Sequence, residues 1–402
     1  MNNKRIAQLN DANVMATYGR FPIAIERGQG AKLYDFDGRE YIDFAAGIGA
    51  SSVGHNNPKL VNAISEQASM VCHTSNLYYT KPSAELAGVL CSRSGMDKVF
   101  FANSGCEANE GAMKLARKYS SDKYGMGRGT IVTLMNSFHG RTMATLTATG
   151  QNVFHNHFYP FPNGYRYAIA NDIKSVESAC GSDVCAIMLE TVQGEGGVVP
   201  LNSEFLKGVS ELCTSRDILL IIDEVQTGIG RTGTFFSYQN PWFEVVKPDV
   251  VTFAKGIAGG LPLGGFMARG KYCDVLSVGT HGATFGANPV TAAAALAVMD
   301  ILSDQVISEV AEKGSYMRDK IDSMGISILK PSRGIGLMIG LPVEKDLHRD
   351  LAAKLNAAGL LTLTAGSDAL RFLPPLTITM DEIDRGLEIF ENTVREHAEN
   401  LD

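Results

Sequence analysis

No apolar run in these 402 residues is long enough to span a bilayer, so no membrane-spanning segment is expected. There is no basic cluster either. The net charge of −7, from 36 Lys+Arg against 43 Asp+Glu, argues against nucleic acid as a partner. The seven cysteines (Cys72, Cys91, Cys106, Cys180, Cys185, Cys213 and Cys273) are odd in number and form no Cys-x-x-Cys pair. Neither a disulfide framework nor a metal site is therefore expected, and the thiols suit a reducing, cytoplasmic compartment. The segment Met1–Asn10 lacks the apolar stretch of a secretory leader. One Gly-x-Gly-x-x-Gly spacing occurs, Gly228-Ile-Gly-Arg-Thr-Gly233, but it neither directly follows an apolar strand run nor opens a helical period, and no Walker pattern occurs, which leaves a dinucleotide or NTP site without support. Internal repeats, low-complexity tracts and flexible linkers are also missing. What is abundant is apolar residue, 45% of the chain, enough for a large core built as two packed units. Glycine is also plentiful, 42 of 402 against ~7% on average.

The pattern along the chain predicts an α/β fold. Residues 20–45 read as a short β region in which Asp37-Gly38 signals a hairpin. From 55 to 300 helical periods alternate with short apolar runs at Val99–Ala102, Ile131–Leu134, Ala186–Leu189, Leu219–Ile222 and Val250–Phe253. That alternation predicts a mostly parallel sheet, with Gly265–Ala268 as an antiparallel addition. Beyond 300 a helix over 306–324 leads to short runs at Ile326–Leu329 and Gly336–Ile339. A helix near 345–358, strands at 360–364 and 369–373, and a last helix opened by Thr379-Met-Asp-Glu382 follow. The expected division is an N-terminal segment (1–54) packing with a small α+β domain (301–402), and a large domain (55–300) between them.

Chemistry gathers at the carboxyl ends of strands in such sheets. Lys255 follows the run Val250–Phe253, ahead of small flexible residues, and Asp223 ends the run Leu219–Ile222. Taken singly, a solvated lysine and a helix-capping aspartate are the plainer readings. Delivered together to one sheet edge, they are what a pyridoxal phosphate enzyme needs: a Schiff-base lysine and a carboxylate for the pyridinium nitrogen. Other loops converge on the same edge. Asn103–Glu110 carries Gly105 and Cys106 at a helix start, with Ser104 and Glu107 as a capping box, where free N–H groups can take an anion. Phe138-His-Gly-Arg141 offers a ring that can stack and an arginine that can hold a carboxylate. Glu190–Gly197 sets two carboxylates by a flexible loop, Thr280–Pro289 a hydroxyl among glycines, and Leu370–Pro375 a second arginine.

In order, these segments resemble the class III aminotransferases of pyridoxal phosphate fold type I. The resemblance runs from about Tyr18 to the C-terminus. It rests on Gly38–Phe44, His73–Tyr79, Asn103–Glu110, Phe138–Arg141, Gln193–Gly197, Asp223–Gly233, Lys255, Thr280–Pro289 and Arg371–Pro375. It implies that Lys255 binds the cofactor covalently and later shuttles the proton, and that Asp223 pairs with the pyridine nitrogen. By the same resemblance Gln226 meets the ring hydroxyl, Phe138 stacks on the ring, and the amides of Gly105 and Cys106 take the phosphate. Thr284, from a partner subunit, completes that phosphate site in a homodimer. For the substrates it implies Arg141 on the carboxylate remote from the reacting amine, and Tyr18 and Ala283 along the donor pocket. Glu195 would pair with Arg371 until 2-oxoglutarate claims it.

Within the family, His73–Tyr79 and Leu363–Phe372 favour members that act on N-acetylornithine in arginine biosynthesis; ornithine, succinylornithine and 4-aminobutyrate stay open as donors. Cys106 stands where threonine is common, and Ala283 where serine or threonine is. Asn57, Thr191 and Ala287 replace a frequent histidine, proline and glycine. None of these touches the Lys255–Asp223 core, so they bear on substrate choice rather than reaction class. The intact set Lys255, Asp223, Gln226 and Arg141 argues against a relative that keeps the fold without turnover.

Overall fold

The computed structural model describes residues 1–243, 246–344 and 346–401. Seven short strands form the central sheet, in the spatial order Lys98–Ala102, Gly264–Ala268, Val250–Phe253, Leu219–Asp223, Val184–Leu189, Thr130–Leu134 and Tyr165–Ala168. Pairing is parallel from Val250–Phe253 across to Tyr165–Ala168, while Gly264–Ala268 runs antiparallel to both its neighbours. The central strands are buried on both faces, which is why they read as unbroken apolar runs. Successive side chains point to opposite faces. Ala186 and Met188 join the core beneath helix Gly105–Tyr124, whereas Ile187 and Leu189 join the larger core under helix Ser203–Arg216. The α/β architecture expected from the sequence is the one observed.

Among the described residues two four-stranded sheets accompany this one, besides a two-stranded ribbon of Val192–Gln193 and Val199–Pro200. The hairpin Lys32–Asp35/Glu40–Asp43 turns at Asp37-Gly38, extends outward to Ile25–Gln29, and pairs in parallel with Leu360–Leu361. The other sheet runs Arg333–Ile335, Met338–Pro342, Ala369–Phe372, Leu363–Ala365. The final helix, Met380–Glu399, opens as read. Thr379 Oγ1 accepts the Glu382 N–H at 3.2 Å, and Glu382 Oε2 accepts the Thr379 N–H at 3.0 Å. No single helix among the described residues is long and apolar enough to cross a membrane.

One local expectation changes, and two further segments differ from what their texture suggests. The run Ile326–Leu329 is not a strand; Leu329 alone makes a bridge, to Val343. The single strand expected at 360–364 breaks at Thr362, whose N–H is taken by Asn356 Oδ1 at 3.1 Å, and its halves join different sheets. Tyr165–Ala168 is an edge strand whose Tyr-Arg-Tyr-Ala texture gave no apolar run to read.

Candidate active site

The loops after the parallel strands meet around a cavity of ≈ 390 Å³, within the size range of small-molecule sites. Lys255, Asp223, Gln226, Phe138, Gly105 and Cys106 all line it. Glycine is required at two points of the wall. A Cβ on Gly105 would lie 2.8 Å from Val225 Cγ1. Gly140 has φ +137°, and a Cβ there would lie 2.6 Å from both Cys106 Sγ and Thr145 Oγ1. Helix Gly105–Tyr124 starts at this wall. Ser104 caps the Glu107 N–H, and Glu107 Oε2 reaches back to the Asn103 N–H at 2.8 Å. The N–H groups of Gly105 and Cys106 are first-turn donors that the helix itself cannot satisfy.

Asp223 is buried and anchored through both oxygens. Its Oδ2 accepts from Asn109 Nδ2 at 2.7 Å and meets His139 Nδ1 at 2.8 Å, and its Oδ1 accepts the Val225 N–H at 3.0 Å. Burial disfavours the charged His139 ring, but the Asp223 carboxylate outweighs it and raises the imidazole above its ordinary pKa. Asn109 and His139 thus fix the carboxylate against movement. Lys255 sits at φ +47°, a left-handed conformation unusual for a side-chain-bearing residue and typical of strained functional positions. Burial, with Arg371 adding to it, lowers the Lys255 ammonium to about 8, despite the opposing pull of Glu195, Asp223 and Glu190. Glu190, also on the cavity wall, is pushed up to about 7 by burial. Each of its oxygens takes one backbone N–H, from Phe138 at 3.0 Å and from Gly194 at 3.3 Å. It therefore pins the aromatic loop and the glycine loop to each other.

Arg371, almost wholly buried, donates from Nη1 to Glu195 Oε1 at 2.6 Å and to Gln226 Oε1 at 3.0 Å. Gln226 Nε2 closes the triangle on Glu195 at 3.3 Å. Burial would raise the Glu195 carboxyl, but Arg371 reverses that and holds it below its ordinary value. The buried Arg371 Nε has no acceptor among the described residues, so the guanidinium keeps a donor in reserve. Arg141 follows the cavity-lining Gly140 and is exposed. Not every residue singled out in the sequence reaches the cavity within one chain. Tyr18 is 74% exposed, with Arg20 over its ring. Thr284 is exposed and Ala283 half-buried, its carbonyl taken by Asn76 Nδ2 at 2.8 Å; neither lines the cavity. Asn109, His139 and Glu190 received no individual role from the sequence. The first is signalled only by lying one turn into the helix that starts at Gly105, the others by sitting inside motif loops.

The profile of the family described as "Aminotransferase class-III" matches residues 14–394. The chain belongs to the class III aminotransferases. Acetylornithine aminotransferase of Haemophilus ducreyi is 50% identical over 98% of this chain and 100% of its own length. The acetylornithine aminotransferase of Methanocaldococcus jannaschii is 44% identical over 91% and 92%. Among solved structures, ornithine aminotransferase of Toxoplasma gondii superposes with a TM-score of 0.95 at 30% identity, covering 100% of this chain and 96% of that one. N-acetylornithine aminotransferase of Stenotrophomonas maltophilia gives 0.83 at 37%, covering 97% and 98%. This class III aminotransferase is a pyridoxal phosphate-dependent transaminase of fold type I, and its residues fit that cofactor. A lysine amine without a hydrogen bond among the described residues, an anchored buried carboxylate, free first-turn amides and a side-chain-free wall at Gly105 and Gly140 are the complementary set.

Proposed function

We propose that this enzyme transfers the δ-amino group of N2-acetyl-L-ornithine to 2-oxoglutarate, giving N-acetyl-L-glutamate 5-semialdehyde and L-glutamate. The observation that carries the reading is the contrast between two arginines: Arg371, neutralised by Glu195, and Arg141, left exposed beside the cavity. The donor brings one carboxylate and the acceptor two. One permanently available guanidinium and one that a carboxylate can be exchanged off match that difference. The likeness to acetylornithine aminotransferases, at 41–50% identity, supports this donor over related amines.

In this reading Lys255, Asp223, Gln226, Phe138, Gly105 and Cys106 hold pyridoxal phosphate. When bound, the group supplies an electron sink that acidifies the carbon carrying the amine. Asp223, immobilised by Asn109 and His139, keeps the pyridine nitrogen protonated. Lys255 Nζ, brought down to about 8, gives up its proton far more readily than an ordinary lysine; as the neutral amine it takes the proton from the donor δ-carbon and, in the second half of the cycle, delivers one to the α-carbon of glutamate. Arg141 binds the donor carboxylate while Glu195 occupies Arg371. With 2-oxoglutarate bound, Arg141 takes the remote carboxylate and Arg371 exchanges Glu195 for the α-carboxylate. Tyr18 and Ala283 would border the donor.

The active unit in this reading is a homodimer in which Thr284 of the partner subunit completes the phosphate site. Exposed Leu77, Tyr78 and Phe285 support that assembly. They stand on two segments locked together by Asn76 and by the His73–Phe285 ring pair at 5.0 Å, a patch that a second copy would cover. The sheet pairings are compatible with a division into 1–54, 55–300 and 301–402, the first packing with the last. A cytoplasmic setting agrees with seven free thiols.

The test is the loss of visible cofactor absorbance when the holoenzyme is mixed, in single turnover, with N-acetylornithine, ornithine and 4-aminobutyrate in turn. Fastest loss with N-acetylornithine supports the assignment. Fastest loss with another amine keeps the transaminase and changes its donor.

A further inference from the structure

Among the described residues the Arg141 guanidinium has no carboxylate partner and no hydrogen bond; the polar contact of this residue is its backbone N–H, which Cys106 Sγ accepts at 3.2 Å. Two rings hold the guanidinium instead. Its Cζ lies 4.0 Å from the centroid of Phe154 and 5.6 Å from that of Phe138. The rings meet edge to face, 6.0 Å apart at 81°. Phe154 closes a short 3-10 turn, Asn152–Phe154, and is half-buried. A ring face attracts a guanidinium through its quadrupole but uses none of its five N–H donors. A carboxylate in the same place would hold the arginine more firmly and would also occupy the donors that a substrate needs. At Arg371 the chain chose the carboxylate, Glu195, and with it a gate; at Arg141 it chose rings.

We propose that Phe154 is a specificity-determining positioning residue: it orients Arg141 for the donor carboxylate while leaving its charge and donors free. The inference rests on Arg141 being the residue that binds that carboxylate. It makes Phe154 matter for carboxylate-bearing donors and not for amines as such.

The experiment uses the holoenzyme with Phe154→Leu, which keeps apolar volume but removes the ring face, Phe154→Tyr, which restores it, and Arg141→Ala. Three probes separate the terms: N-acetylornithine, N-acetylputrescine (the same amide and amine without the carboxylate), and N-acetylnorvaline (the carboxylate and amide without the reacting amine). Expected for Phe154→Leu is an about two- to fivefold rise in KM for N-acetylornithine at an unchanged limiting half-reaction rate, the size of an exposed cation–π contact. Calorimetric affinity for N-acetylnorvaline falls by the same factor, N-acetylputrescine reacts as before, and Phe154→Tyr behaves as the parent. Equal losses with N-acetylornithine and N-acetylputrescine would reduce Phe154 to a packing residue and overturn the proposal. So would an unchanged N-acetylnorvaline affinity in Phe154→Leu when Arg141→Ala weakens it. If Arg141→Ala itself leaves that affinity unchanged, the assignment of Arg141 fails, and the inference falls with it.

Discussion

Replacing Lys255 by methionine should make the cofactor-free protein more stable, not less. Burial lowers the ammonium from its ordinary ~10.4 to about 8. At ~1.4 kcal/mol per tenfold in proton affinity, that depression corresponds to about 3 kcal/mol. The sign follows from which state holds the proton. Below pH 8 both states are protonated, and the folded state carries the charge against its preference, so the full cost is present at pH 7. Between about pH 8 and ~10.4 the unfolded chain binds more protons than the folded one, so stability rises with pH and the cost disappears. Methionine has similar length and no charge. It also bears a Cβ, so the strain of φ +47° at this position is common to both proteins and cancels in the comparison. Urea unfolding at matched protomer concentration, needed if the protein is dimeric, should place Lys255→Met about 3 kcal/mol above the parent at pH 7. The gap should close toward pH 10. A parent as stable as the variant at pH 7, or a gap that does not shrink as pH rises, would refute the depressed amine. Pyridoxal phosphate capture by the parent apoenzyme should accelerate through about pH 8, because the neutral amine is the nucleophile.

Further outcomes follow from the same geometry. Arg371→Ala should slow the 2-oxoglutarate half-reaction about 10- to 100-fold, the worth of a charged hydrogen-bonded contact, and alter the donor half-reaction much less; single-turnover rates of the two halves decide this, and equal losses would count against the Glu195–Arg371 exchange. His139→Phe takes one of the two side-chain partners from Asp223 Oδ2 and should weaken pyridoxal phosphate binding about tenfold or more, read from cofactor titration of the apoenzyme. Thr379→Ala removes the cap of the last helix, which does not line the cavity, and should cost about 1 kcal/mol in denaturant unfolding with turnover intact.

The central sheet was legible because its strands are buried on both faces. A run such as Leu219–Ile222 has no reason to alternate, and its abrupt end at Asp223 marks the strand edge in the sequence. The cavity wall was legible for a related reason: the loops that follow such runs are rich in glycine, and at Gly105 and Gly140 neighbouring segments pack too closely for a Cβ. The edge strand Tyr165–Ala168 and the break at Thr362 were not legible. An edge strand needs no apolar run, and the break is made by a side chain six residues away, Asn356, taking the Thr362 N–H. Asn109, His139 and Phe154 were invisible as functional residues for a further reason. Each acts through another side chain, across 114, 84 and 13 residues of chain, and pair geometry at those separations leaves no spacing to read.

Glu190 and Glu195 put that limit most sharply. In the sequence they are two carboxylates on one glycine loop, five residues apart and chemically identical. The fold separates them. Glu195 faces Arg371 and is held below its ordinary range despite its burial, the state that the proposed exchange for a substrate carboxylate calls for. Glu190 meets two backbone N–H groups and, among the described residues, no cation in hydrogen-bonding contact, and burial lifts it to about 7. A carboxyl that changes its charge near neutrality would make a poor gate, because its hold on a guanidinium would vary with pH. It serves as a brace, because one oxygen can still accept from each N–H when the group is neutral. The gate therefore needs the arginine beside it to stay ionised, and the brace needs only its two oxygens. Which carboxylate does which is decided by where Arg371 arrives, on a strand 176 residues further along the chain from Glu195.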